Sequence, residues 1–412
     1  MRGPIFQAMR IESEMRTRTA KAMMVAAVLV AAAPASAQQC GGGFDRWLAA
    51  FKQEAAAKGI SQSTLAAAAP LMQFDQQVVS RDRGQKVFSQ TFLEFSKRMV
   101  EGHRIGQGAQ RIKQHAGTLQ RIEQQFGVPG PVLVAFWGLE TDFGGFMGNI
   151  PTLRSVATLA YDCRRPELFR KQLHAALHII QRGDLTPETM IGPFAGELGQ
   201  LQFLPEHYLE YGIDFDGDGR RDLIRSSADA LASAANYMAK LGWKRGQPWL
   251  QEVRVPANLP WEQADVEIDH PRSQWVKWGV QAANGQLPAD GLPASLILPM
   301  GRNGPAFLAF PNFKIYTEWN QSLIYATTAA YMATRLAGAP RVNPGRGEVE
   351  GLNFAETREL QQLLARRGYD VGKLDGIIGS QTRAAVRDMQ KKTGLPADSY
   401  PTPELLARLK GG

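Results

Sequence analysis

Apolar residues recur at three- and four-residue intervals through most of the chain, the spacing that places them on one face of a helix. Phe44, Trp47, Leu48 and Phe51 form one stripe, and Phe88, Phe92, Phe95 and Met99 form another. Leu119, Ile122 and Phe126 lead through Gly127-Val128-Pro129 into the unbroken apolar run Val132–Phe136. Pro131 suits the first turn of that helix, and Gly144-Gly145 supplies the left-handed conformation that stops it. Pro166 opens a helix carrying Phe169, Leu173, Leu177 and Ile180, and Ser227 caps another with Leu231 and Met238 inside. From about residue 250 to 312 the period shortens to two, at Val253/Val255, Ser295–Leu298 and Ala306–Phe310. These runs predict a small antiparallel β insertion. Helical spacing returns at Tyr316 and continues to Leu336. The fold class expected is therefore mainly α, of the α+β kind.

Residues 38–338 read as one large domain, 339–350 as a Pro/Gly-containing linker, and 351–412 as a compact tail with room for three short helices. Residues 1–37 stand apart. Arg16, Arg18 and Lys21 precede an Ala/Val-rich run, and Ala35-Ser36-Ala37 offers a small-residue cleavage site. This is the pattern of a cleavable secretory signal, too short and wrongly flanked for a stable membrane span. It places the mature chain in the periplasm. Gln38 and Gln39 before Cys40 are not the small residues a lipoprotein signal wants, so no lipid anchor is expected.

Export changes how the two cysteines are read. Cys40 and Cys163 are the only pair available for a disulfide, which would close a long loop. The formal charge falls from +8 to +5 when residues 1–37 are removed, since they hold five Lys or Arg and two Asp or Glu. That excess suits a polyanionic partner outside the cytoplasm, and a cell-wall polymer fits better than nucleic acid. No nucleic-acid module, phosphate loop or Gly-x-Ser-x-Gly elbow occurs. The chain is read as a monomer with no stable membrane insertion.

Glu140 is the candidate for chemistry. It falls in the last turn of an apolar helix, where the dipole disfavours a carboxylate. Phe136, Trp137 and, if the turn continues, Phe143 stand three or four residues away. Rings that exclude water raise a carboxyl pKa, as a general acid requires. On helix position alone the more ordinary reading is that Glu140 turns to solvent or pairs with an arginine, and the motifs downstream reverse it. His174 and His178, one turn apart, lack the glutamate of a zinc-protease motif and read as satisfied or solvated histidines. The run Gly192–Pro205 combines glycines with Gln200 and Gln202, neutral groups suited to carbohydrate. Asp214, Asp216, Asp218, Arg220 (through its carbonyl) and Asp222 occupy ligand positions of a calcium loop, with Gly219 at the turn. Arg225 stands where the bidentate glutamate belongs, and Asp229 is the replacement within reach. The alternative is a plain surface Asp/Gly turn.

Trp137-Gly138-Leu139-Glu140-Thr141, Ala195–Pro205, the Asp-rich loop and Trp319-Asn320…Tyr325 occur in that order. Together they resemble the lytic murein transglycosylase B family over about residues 44–337. The tail, with its Gly-Tyr…Asp-Gly…Thr pattern, resembles a peptidoglycan-binding domain. The resemblance implies a lysozyme-like helical core acting on peptidoglycan glycan strands, cutting the β-1,4 bond between N-acetylmuramic acid (MurNAc) and N-acetylglucosamine (GlcNAc). It implies Glu140 as the single acid and then base, a 1,6-anhydromuramic product, and sugar contacts from Gln202, Trp319, Asn320 and Tyr325. No cofactor is needed for that chemistry, and a calcium ion would be structural. Two departures stand out: Pro193 where the family commonly has Ser, and Trp319 where Tyr is usual. The alternatives are a hydrolytic muramidase and a non-catalytic wall-binding scaffold.

Overall fold

The computed structural model describes residues 42–84 and 90–411. The signal segment, Cys40 and Phe88 lie outside the described residues, so the secretory reading and the Cys40–Cys163 pairing do too. Cys163 itself is exposed. The described residues divide into two compact units, one built from 42–84 with 140–237, the other from 90–139 with 238–411.

The first unit is helical, with segments Phe44–Ala57, Gln62–Ala68, Gln76–Arg83, Thr152–Tyr161, Pro166–Arg182 and Pro205–Tyr211. Local chemistry explains their ends. Ser61 Oγ accepts the Thr64 N–H at 3.2 Å, and Asp75 accepts the Gln77 N–H at 2.8 Å. Pro166 sits in the first turn of its helix, and Gly183, at φ 83°, ends it. Strands β1 (Ile150–Pro151) and β2 (Ile191–Gly192) pair antiparallel. Phe51, Val156, Leu159, Phe169, Leu173 and Leu177 are buried as the apolar stripes require. At the edge of this core Glu54 bonds Lys58 at 2.7 Å, His174 at 3.0 Å, and Arg170. Burial alone would raise the Glu54 carboxyl. The bonds from Lys58 and His174 and the Arg170 charge outweigh it and bring the pKa to about 2. His174 thus engages Glu54 through Nε2 in this network.

The second unit holds a five-stranded antiparallel sheet. Its strands are β3 (Leu250–Arg254), β4 (Asp269–Pro271), β5 (Gln281–Ala282), β6 (Pro293–Ile297) and β7 (Ala306–Ala309), in the order β4-β6-β7-β3-β5. The insertion was expected at these residues, but with three strands. The edge strands β4 and β5 are too short and polar for alternation to reveal. Val253, Val255, Leu296, Leu298, Leu308 and Phe310 form its core with Trp275, whose Nε1 donates to the Ala294 carbonyl at 2.8 Å.

Helices Phe354–Arg366, Ser380–Lys392 and Pro403–Gly411 make the three-helix tail around Leu360, Leu364, Val386 and Leu405. The tail is docked on the β insertion. Arg383 is buried and donates to the Leu298 carbonyl at 3.0 Å. Arg387 pairs with Asp265 at 2.5 Å, and Asp398 accepts the Arg302 N–H at 2.9 Å. The segment 339–350 has no regular structure, yet it is tied down. Asn343 N–H bonds Glu252 at 2.8 Å, while Arg346 bonds the Asn303 and Val255 carbonyls at 2.7 and 2.8 Å.

Candidate active site

Glu140 is the penultimate residue of helix Gly130–Thr141 and is 7% exposed. A carboxylate so far removed from water is uncommon. The helix stops more abruptly than a glycine pair alone would make it. Asp142 and Phe143, at φ 53° and 61°, are already left-handed before Gly144 at 85°. The expectation that glycines supply this conformation is therefore corrected, and so is the helical approach of Phe143 to Glu140, which needed the turn to continue. Each non-glycine residue held this way costs about 1–2 kcal/mol.

A clamp holds it in place. Thr141 Oγ1 donates to the Gln200 carbonyl at 2.6 Å and accepts the Gly144 N–H at 2.9 Å. Thr141 and Gln200 are both buried, so the geometry at Glu140 is coupled directly to the 192–205 segment. Spacing alone marked Thr141 as a neighbour of the acid, not as its anchor.

That segment folds into a tight hairpin in which Leu198 and Phe203 exchange both backbone bonds at 2.8 Å. Gly199 (φ 77°) packs so closely that an added Cβ would lie 2.5 Å from the Leu223 carbonyl oxygen. Gln200 N–H donates to that same carbonyl at 2.8 Å, its Nε2 donates to the Ile224 carbonyl at 3.1 Å, and its Oε1 accepts from Ser227 Oγ at 3.1 Å. Gln200 is therefore a structural knot between hairpin and Asp-rich loop. Gln202, left-handed at φ 54° and buried, places its Nε2 2.9 Å from the Gly199 carbonyl.

The Asp-rich loop gathers fewer carboxylates than its spacing suggests. Asp214, Asp216 and Asp229 bring ligand oxygens within 4.8 Å of one another. Asp229 is fully buried and accepts the N–H groups of Phe215, Asp216 and Asp222 at 2.8, 3.3 and 2.9 Å. Burial raises its pKa, against the lowering effect of those donors, and the Asp216 charge adds to the rise. Asp218 instead accepts the Arg220 N–H at 2.8 Å. Asp222 is held by Arg225, whose Nε lies 2.6 Å away. The residue that displaces the expected glutamate thus neutralises a second position. Three clustered carboxylates repel one another and suit a hard divalent cation with oxygen ligands.

In the second unit, Asn320 ends helix Pro311–Trp319 and accepts the Ser322 N–H at 3.0 Å. Tyr325 lies in the first turn of helix Leu323–Leu336, and both side chains are buried. Trp319, expected to stack on sugar, is 0% exposed, with its ring centroid 4.5 Å from that of Phe136. Its apolar area is used for packing, the common fate of a tryptophan flanked by a helical stripe.

Residues 43–334 match the model of the transglycosylase SLT domain, and residues 355–409 match that of a peptidoglycan binding domain. The chain belongs to the transglycosylase SLT domain family. SltB3 of Pseudomonas aeruginosa, solved in complex with NAG-anhNAM-pentapeptide, superposes on this SLT-family chain with a TM-score of 0.84 at 43% identity. The match covers 90% of this chain and all of that one. The membrane-bound lytic murein transglycosylase B of Escherichia coli K12 is 32% identical over 243 residues, covering 57% of this chain and 64% of the relative. The chain thus spans just under two thirds of that relative's length. The E. coli lytic transglycosylase Slt35, solved in complex with calcium, shares 27% identity over 70% of this chain and 92% of its own, with a TM-score of 0.61. The lysozyme-like helical architecture with its β insertion agrees with these neighbours.

Proposed function

We propose that this SLT-family chain is an exported lytic transglycosylase that cleaves the β-1,4 MurNAc–GlcNAc bond of peptidoglycan. The observation that carries the reading is the placement of Glu140, a buried carboxyl on a helix end locked to the sugar-family hairpin through Thr141 and Gln200. Protonated, Glu140 donates its proton to the glycosidic oxygen as the bond from that oxygen to the muramic anomeric carbon breaks. The muramic 6-hydroxyl oxygen then bonds to that carbon and gives its proton to the Glu140 carboxylate. Atoms balance without water, the acid is restored, and the product is a 1,6-anhydromuramic end. Gln202 is proposed as a sugar contact on the hairpin, with Asn320 and Tyr325 as the sugar contacts of the second unit.

A calcium ion held by Asp214, Asp216, Asp229 and the Arg220 carbonyl is proposed to stiffen the loop. The carbonyls of Leu223 and Ile224 carry that stiffness to Gln200. Residues 1–37 are proposed as the export signal, 38–338 as the catalytic domain and 351–412 as the wall-binding domain. Cys40 and Cys163 are proposed to pair after export.

Mass analysis of digested peptidoglycan tests the reading. Products one water lighter than hydrolysis would leave support it, and reducing muramic ends would assign a muramidase instead. Glu140→Gln is expected to lose at least about a hundredfold in rate. Unchanged digestion by that variant would reduce the chain to a wall-binding scaffold or move the chemistry elsewhere.

A further inference from the structure

The turn that follows Glu140 carries the most exposed large apolar side chain among the described residues. Phe146 is 69% exposed, whereas Phe74, Phe354 and Leu374 are each 42% exposed. Its backbone is not loose. Phe146 N–H donates to the Thr141 carbonyl at 2.9 Å, and Gly145 N–H donates to that of Asp142 at 3.3 Å. Thr141, which anchors the turn, is the residue clamped to Gln200. Two residues beyond Phe146, Gly148 lies so near the backbone of Gly192 that an added Cβ would come within 2.1 Å of its carbonyl carbon. The ring therefore stands on a turn pinned at both ends, six residues beyond Glu140 and hydrogen-bonded through its backbone to Thr141, the next residue after the acid.

A phenyl group left in water forgoes the burial that normally places it in a core. Asp142 and Phe143, four and three residues before Phe146, are held in left-handed backbone. A pyranose offers the matching surface, since one face of the ring presents only C–H groups while its hydroxyls point outward. We propose that Phe146 is a sugar-stacking residue, its ring receiving the apolar face of a glycan unit beside the bond cleaved at Glu140. The assignment rests on the transglycosylase reading. It adds a specificity determinant outside the family motifs, and one that reads sugar rather than stem peptide.

The test uses the full-length mature enzyme on glycan strands whose peptides have been removed, with intact strands in parallel. Phe146→Ala is expected to lower kcat/KM about tenfold, mainly through KM, on both substrates, the effect of one lost ring contact. Phe146→Trp is expected to restore it. Thermal unfolding of Phe146→Ala should match the wild type, because the ring supports no core. Loss confined to peptide-bearing strands would overturn stacking on sugar, as would a fall in kcat at constant KM or activity equal to wild type. If wild-type enzyme releases no anhydro products, the underlying reading fails separately. Calorimetric titration of peptide-free strands into Glu140→Gln, with and without Phe146→Ala, then decides the stacking on its own: equal affinities overturn it.

Discussion

Arg383→Met tests whether the C-terminal helices are docked or merely tethered. The guanidinium is 7% exposed, and burial lowers its pKa while the charges of Asp265 and Asp398 raise it. Methionine preserves most of the stem's volume and removes the charge. What remains is a buried Leu298 carbonyl without its donor, and two buried carboxylates that keep Arg387 and Arg302 but lose a shared neighbour. An orphaned buried acceptor costs about 1–3 kcal/mol, and breaking a buried charge arrangement costs about 3–5 kcal/mol when no other partner is left. Arg387 and Arg302 remain, and the arginine's own desolvation is relieved. Both considerations bring the net loss to about 2–3 kcal/mol. At about 1.4 kcal/mol per tenfold, the undocked population rises roughly 30- to 140-fold. Trypsin reports it through cleavage after Arg346, which is held by the Asn303 and Val255 carbonyls, because native-state cleavage follows the open population. The rate of that cleavage, followed by intact mass, should rise by the same factor while the helical circular dichroism is retained. A rate within threefold of wild type would refute the docking argument.

Two further outcomes are expected. Against burial, Lys58, His174 and Arg170 bring the Glu54 carboxyl down to about 2 from the ordinary glutamate value of 4.5, so its contribution is complete above about pH 4.5 and vanishes as pH falls toward 2. After allowance for its partial exposure this amounts to about 1–2 kcal/mol; Glu54→Gln should flatten acid unfolding in that window, and an unaltered acid profile would discount the network with Lys58, His174 and Arg170. Calcium should raise the melting temperature, with about 2.7 kcal/mol gained at a hundredfold excess over Kd. Asp229→Asn should abolish that response, and a variant still stabilised by calcium would place the ion elsewhere.

The helical segments, the β insertion and the acid at the end of an apolar helix were all legible in residue spacing, because burial imposes a period the sequence cannot hide. The left-handed path at Asp142 and Phe143 was not. Backbone preference puts such conformations on glycine, and here a threonine hydroxyl bound 59 residues away overrides it. Strands β4 and β5 escaped notice for a related reason: with three and two residues they are defined by their partners, not by their own pattern. Asp229 could be grouped with Asp214 and Asp216 from chain position, whereas the diversion of Asp222 to Arg225 depends on a side-chain bond that spacing does not encode. Trp319 packs on Phe136, a contact that spacing beside a site motif does not reveal. The docking of the tail was invisible, since it joins Arg383 and Leu298 across 85 positions.

That docking makes the last three helices poor candidates for transplantation. Cut away and fused to another protein, they would carry a bare guanidinium at Arg383 seeking a carbonyl, and the parent would expose Asp265 and the rim of its sheet to aggregation. A boundary that looks like a seam in the gene is, in the folded object, closer to a weld.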